Sequence, residues 1–83
     1  MEDTARVLIV DDEISALYTL EMLLTPEPYE IKLANGPEEA FIALENDPPD
    51  VILLDVMMPG ITGFEVCERL KDDIRWRHIP IIL

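Results

Sequence analysis

Two kinds of apolar pattern alternate along the chain. Residues 6–10, RVLIV, form a short continuous apolar run rich in β-branched side chains, as a strand buried on both faces does. From Glu13 to about Leu24 the spacing becomes helical, with Ile14, Leu17, Leu20 and Leu24 on one stripe. Pro26 and Pro28 end that helix. YEIKLA, 29–34, alternates apolar and polar positions like a half-exposed strand at a sheet edge. Asn35-Gly36-Pro37-Glu38-Glu39 reads as a helix start, with proline near the first helical position and acids in the first turn. Ala40, Phe41 and Leu44 form its inner face, and Asn46-Asp47-Pro48-Pro49 stops it. DVILLD, 50–55, is another buried strand. Thr62 and Glu65 match a capping box, opening a third helix with Val66, Cys67, Leu70 and Ile74 on one side. IPIIL, 79–83, reads as a fourth strand, with Pro80 near its start, where a proline is tolerated.

The order β-α-β-α-β-α-β predicts one α/β domain with an open parallel sheet, since strands joined through helices run parallel with right-handed crossovers. The last residue, Leu83, falls inside the fourth predicted strand. Three helices over four strands leave one flank of the sheet thinly covered. The pattern is that of part of a longer domain, or of a shortened form that covers its final strand in some other way. An uncovered strand edge at 79–83 recruits other strands, so the expectation is a homodimer or higher oligomer built through that edge.

Charge narrows the classes of function. The 83 residues carry 18 Asp+Glu against 6 Lys+Arg, a net charge of −12, which speaks against direct nucleic-acid binding. Four of the six cations, Arg69, Lys71, Arg75 and Arg77, fall in the last fifteen residues, so the remainder is more acidic still. Cys67 is the single cysteine and permits no internal disulfide. Met-Glu-Asp-Thr at the start has neither the basic nor the apolar stretch of a secretion signal, and the apolar runs are too short for a membrane span. A cytoplasmic location is expected. Trp76, between Arg75 and Arg77, reads as a partly exposed loop aromatic, Cys67 as a buried packing thiol, and His78 as a surface residue.

Two buried strands end in acids: Val10-Asp11-Asp12-Glu13 and Leu54-Asp55. Ligands of open parallel sheets bind outside the carboxyl ends of the strands. If these two strands are neighbours, about 4.8 Å apart, three aspartates converge, and their repulsion calls for a cation. Oxygen-only donors suit Mg²⁺ or Mn²⁺. Each acid taken alone has a plainer use: Asp12 as the cap of the first helix, Asp11 as a solvated charge, Asp55 as a turn residue bonding the backbone two positions on.

VLIVDDE followed by DVILLDVMMPGITGFEVCERL closely resembles the receiver domain of bacterial two-component response regulators, and the resemblance extends over essentially the whole of residues 1–83. It implies a flavodoxin-like, CheY-like sheet of strand order 2-1-3-4. It also implies a signalling module rather than an enzyme, with Asp55 as the phosphoacceptor and a sensor histidine kinase as donor. Asp12 would bind Mg²⁺ directly, Asp11 mostly through water, and Asp55 and the main-chain carbonyl of Met57 would complete the protein ligands. The Met58-Pro59-Gly60 turn would shape the loop presenting that carbonyl, and Gly63 would let the third helix approach the sheet closely. The family also carries a Ser or Thr after the fourth strand and a Lys at the end of a fifth, within a C-terminal helix-strand-helix part. Neither Lys32 nor Lys71 stands in for that Lys, so Mg²⁺ binding is expected and phosphorylation of the 83 residues is expected to be slow or absent.

Three other classes compete. A hydrolase of the haloacid-dehalogenase type wants Asp-x-Asp after its first strand, whereas Asp11 and Asp12 are adjacent here. A dinucleotide-binding domain wants Gly-x-Gly-x-x-Gly there, and none is present. A non-signalling assembly module built from a receiver fragment would need only the strand edge.

Overall fold

The computed structural model describes residues 4–83, which form β1 (Arg6–Val10), α1 (Ile14–Leu24), β2 (Glu30–Ala34), α2 (Pro37–Asn46), β3 (Val51–Leu54), α3 (Gly63–Asp72) and β4 (Ile81–Ile82). The four strands make one parallel sheet of order β2-β1-β3-β4. β1 is central, and Val7 to Val10 are all buried, which is why that run carries no polar alternation. β2 lies at an edge and its burial alternates.

Successive residues of β1 point to opposite faces, and the core divides accordingly. Leu8 and Val10 pack with Ala40 and Leu44 of α2, Ile52 and Leu54 of β3, and Val66 and Leu70 of α3. Val7 and Ile9 pack with Leu17 of α1, with Leu20, Leu24, Leu33 and Leu53 only partly buried around them. Two helices therefore cover one face and a single helix covers the other. The thin flank expected from the element count is the α1 face, where Tyr18, Met22 and Leu23 stay exposed.

Several local expectations differ from the structure. Ile14 is 55% exposed, because α1 rests on the sheet through Leu17 rather than through its first turn. Glu13 rather than Asp12 occupies the cap position of α1, and it makes no side-chain capping bond. Ile74 does not extend the apolar side of α3, because the helix ends at Asp72 and Asp73 turns extended, leaving Ile74 78% exposed. Cys67 is half-buried beside the core rather than enclosed. β4 keeps only Ile81 and Ile82 of the five residues expected, with Ile79 buried ahead of it.

The largest correction is Trp76, which is 6% exposed and part of the core. The segment after α3 folds back on Asp73, whose carbonyl accepts the N–H groups of Trp76 (3.1 Å) and Arg77 (2.9 Å). This swings the indole against Phe41 of α2, ring centroids 6.3 Å apart, and the Arg75 guanidinium lies 4.1 Å over it. Arg75 also pairs with Glu45 and Asp73, and its hydrogen bonds hold the Asp73 carboxyl down at about 2. Lys71 donates to the carbonyls of Arg77 and Ile79, both at 3.0 Å. The charged neighbour Arg75 thus acts as cover for Trp76, where a basic loop in the sequence suggests solvent exposure.

Candidate functional site

The parallel register sets Val10 beside Leu54, so the residues that follow, Asp11 and Asp55, leave the sheet side by side. Main-chain bonds fix both exits: Asp55 N–H donates to the Val10 carbonyl at 2.9 Å, and Asp11 N–H donates to the Ala34 carbonyl at 3.1 Å. Carboxylate oxygens of Asp11, Asp12 and Asp55 lie within 4.8 Å of one another. Asp11 and Asp55 are half-buried and Asp12 is exposed.

The plainer use foreseen for Asp55 coexists with its place in this cluster, and the one foreseen for Asp11 does not hold. The Asp55 carboxylate accepts the N–H of Met57 at 3.2 Å, and the Asp11 carboxylate, far from being merely solvated, accepts the N–H of Glu13 at 2.9 Å. Each carboxylate is therefore oriented by a backbone donor two residues on, and the two side chains also lie within hydrogen-bonding reach of each other. Met57 begins the loop at the rim of the patch with its side chain 80% exposed. Met58 is buried beneath the loop, and Gly60 at φ 83° makes the turn that a side chain would strain.

The loop ends where Thr62 caps α3. The Thr62 hydroxyl accepts Glu65 N–H at 3.2 Å, and the Glu65 carboxylate accepts Thr62 N–H at 3.0 Å, completing the box legible in the sequence. Gly63 N–H donates to the Val56 carbonyl at 2.9 Å. A Cβ on Gly63 would collide with the Asp55 carbonyl oxygen and come within 2.7 Å of Val56 Cα. The close approach expected of Gly63 is thus made against the backbone that carries Asp55 itself. A residue the sequence did not single out also belongs here: the Asn35 side-chain amide donates to the carbonyls of Asp12 (3.1 Å) and Asp11 (3.3 Å).

Electrostatically the patch is under strain. Burial pushes the Asp11 carboxyl above its ordinary value, the Glu13 N–H pulls it back, and the charges of Asp55 and Asp12 push it up again. Among the described residues the ion pairs are made by Arg6 and Arg75, and none reaches these three acids. Three carboxylates, two of them half-buried and none paired with a cationic side chain among the described residues, fit a hard divalent cation that keeps several waters. They fit no soft-metal or imidazole site.

A stability consequence follows. The raised pKa means that folded protein holds the Asp11 proton more tightly than unfolded chain. Stability therefore falls as pH rises from the unfolded carboxyl value through the raised one, and remains lower at neutral pH. In metal-free buffer at pH 7, Asp11→Asn keeps the oxygen that accepts Glu13 N–H and removes a charge. It is expected to gain on the order of 1 kcal/mol, with a flatter pH dependence between 4 and 7 in thermal melts. Equal melting of the two proteins at pH 7 would contradict this.

Comparison with known proteins agrees with the geometry. A family model described as the response regulator receiver domain matches residues 7–83. The response regulator PleD of Caulobacter vibrioides is 50% identical over 80 residues, covering 96% of this chain and 18% of that protein. Among solved structures, the N-terminal domain of a response regulator receiver protein from Methanoculleus marisnigri superposes with a TM-score of 0.89 at 36% identity, covering 93% of this chain and 63% of the other. The chemotaxis protein CheY4 of Vibrio cholerae superposes at 0.87 and 35% identity, covering 94% and 65%. The chain thus spans less than a fifth of the PleD sequence and under two thirds of these receiver structures. It belongs to the response regulator receiver domain family.

Proposed function

We propose that residues 1–83 form one phosphoacceptor unit of a two-component pathway, taking a phosphoryl group from a sensor histidine kinase onto Asp55. Convergence of Asp11, Asp12 and Asp55 within 4.8 Å at the carboxyl ends of two adjacent strands is the observation that carries this reading. Asp11, Asp12, Asp55 and the Met57 main-chain carbonyl would hold Mg²⁺, which Mn²⁺ can replace. When bound, the cation supplies neutralisation of the charge on the phosphoryl oxygens.

The chain's own residues supply position. An oxygen of the Asp55 carboxylate attacks phosphorus, the P–N bond to the donor imidazole breaks, and the electron pair stays on that nitrogen. Met57 N–H restrains the other Asp55 oxygen, so one oxygen faces the incoming group. Asp11, next to Asp55, is partly desolvated and gains most from a cation that relieves its burial as a charge.

The test pairs metal binding with phosphoryl transfer on the 83-residue chain. Mg²⁺ is expected to shift the backbone amides of residues 11, 12, 55 and 57 in NMR spectra, and Asp12→Asn to abolish those shifts. With acetyl phosphate and Mg²⁺, label is expected on Asp55 slowly, and on nothing in Asp55→Asn. Label on a residue other than Asp55 would overturn the acceptor, and a Mg²⁺ titration that moves none of these amides would overturn the cation site.

A further inference from the structure

Three mutually repelling carboxylates need something that keeps their backbone in place without neutralising them, and the loop between β2 and α2 supplies it. We infer that Asn35 is a positioning residue for the acidic patch, fixing the peptide planes on which Asp11 and Asp12 are mounted. Its side-chain amide donates to both carbonyls, at 3.3 Å and 3.1 Å, across 24 and 23 positions of sequence. Two adjacent peptide planes held by one amide set the direction in which the Asp12 side chain leaves the chain.

Asn35 is itself held. Its own N–H donates at 2.7 Å to the carboxylate of Glu39, which sits in the first turn of α2. The preceding residue, Ala34, accepts the N–H of Asp11 at 3.1 Å. The acidic loop is thus tied to the end of β2 at three successive points: Asp11 N–H, Asp11 carbonyl and Asp12 carbonyl.

The chemistry of the side chain matters as much as its reach. A lysine or arginine in this place could also bond the two carbonyls, but its charge would pair with the carboxylates and compete with a divalent cation. An aspartate of the same shape has no proton to donate when ionised, and would face two carbonyl oxygens with a third acceptor. The neutral primary amide holds the loop and leaves the negative charge intact. Outer partners of this kind orient ligands and change metal affinity without touching the metal.

This role rests on the cation site proposed above, and the experiment separates the two. Mg²⁺ is titrated into the 83-residue chain and into Asn35→Ala, Asn35→Asp and Asp12→Asn, following backbone amides by NMR, with unfolding midpoints measured in parallel without metal. Asn35→Ala is expected to weaken Mg²⁺ binding about tenfold, the lower end of the range for such partners. Its metal-free spectrum is expected to change at residues 11–13, with faster amide exchange at Asp11 and Glu13. Asn35→Asp adds a negative charge, so a purely electrostatic role predicts tighter binding and positioning predicts weaker. Wild-type affinity or tighter in both Asn35 variants, with Asp12→Asn abolishing binding, overturns positioning by Asn35 and leaves the cation site standing. Absence of Mg²⁺ binding in the wild-type chain, with Asp12→Asn changing nothing, overturns both.

Discussion

Gly63→Ala is expected to destabilise the protein by about 2 kcal/mol, and Gly63→Val by about 3 kcal/mol or enough to prevent folding. Helix propensity alone predicts the opposite sign, since alanine exceeds glycine by up to about 1 kcal/mol inside a helix. The difference lies in what a Cβ meets. The Asp55 carbonyl oxygen and Val56 Cα, the latter 2.7 Å away, are backbone atoms at the end of a core strand. No side-chain rotation can make room for the methyl group. Either α3 lifts away from the loop and breaks the bond from Gly63 N–H to the Val56 carbonyl, 2.9 Å long, or the Asp55 peptide moves. Urea denaturation followed by circular dichroism measures the loss. A more stable Gly63→Ala protein would show that the approach of α3 to the β3 loop is looser than described. In the surviving fraction of Gly63→Ala, the Asp55 and Met57 amide shifts are expected to move, since the clash falls on the Asp55 peptide itself.

Trp76→Ala is expected to cost about 3–5 kcal/mol, a large share of the roughly 4–12 kcal/mol available to a domain of this length. The indole fills the space between α2, α3 and the approach to β4, touching Phe41 and lying under Arg75. Without it Arg75 loses the ring it covers, and Ile79, whose N–H donates to the Trp76 carbonyl at 3.0 Å, loses its neighbour. Only two residues of β4 pair with β3, so that pairing depends on the packed segment ahead of it. Trp76→Phe is expected to recover more than half of the loss, because an aromatic ring still meets Phe41. Denaturation midpoints of the two variants decide this. A loss below about 1 kcal/mol for Trp76→Ala would mean that the ring is not a structural support.

These two residues mark how far the sequence could be read. Gly63 was legible through the resemblance of the segment around it to the receiver family, while the capping box that encloses it, Thr62 to Glu65, marked only the start of α3. The three aspartates were legible because a buried apolar run ending in a charge stands out, and the strand order brings two such runs together. Trp76 was not legible, because its ring meets Phe41 of α2, and the adjacent Arg75 lies over it while bridged to Glu45, 30 positions from that arginine. Ile74 misled for a related reason: its spacing continues the α3 stripe, but Asp73 leaves the helix before reaching it. Asn35 was invisible as a partner of Asp11 and Asp12, since a hydrogen bond between two loops leaves no periodic trace. Local pattern foretold the elements and the acids; the contacts between loops that hold the acids in place came only with the fold.

The unequal covering of the two sheet faces has a consequence for the acidic patch. One face buries a continuous core from α2, α3 and the Trp76 segment, while the other rests on Val7, Ile9 and Leu17. Of the three helices α1 buries the fewest residues, Leu17 alone, so among the helices partial opening is expected there first. Its first residue, Ile14, lies two positions after Asp12, so each excursion of the helix loosens one wall of the patch. A cation that binds only the closed arrangement draws its affinity down by the cost of closing α1 and, once bound, holds the helix down by mass action. Were the patch to hold the cation proposed above, its occupancy and the anchoring of α1 would be one equilibrium seen from two ends.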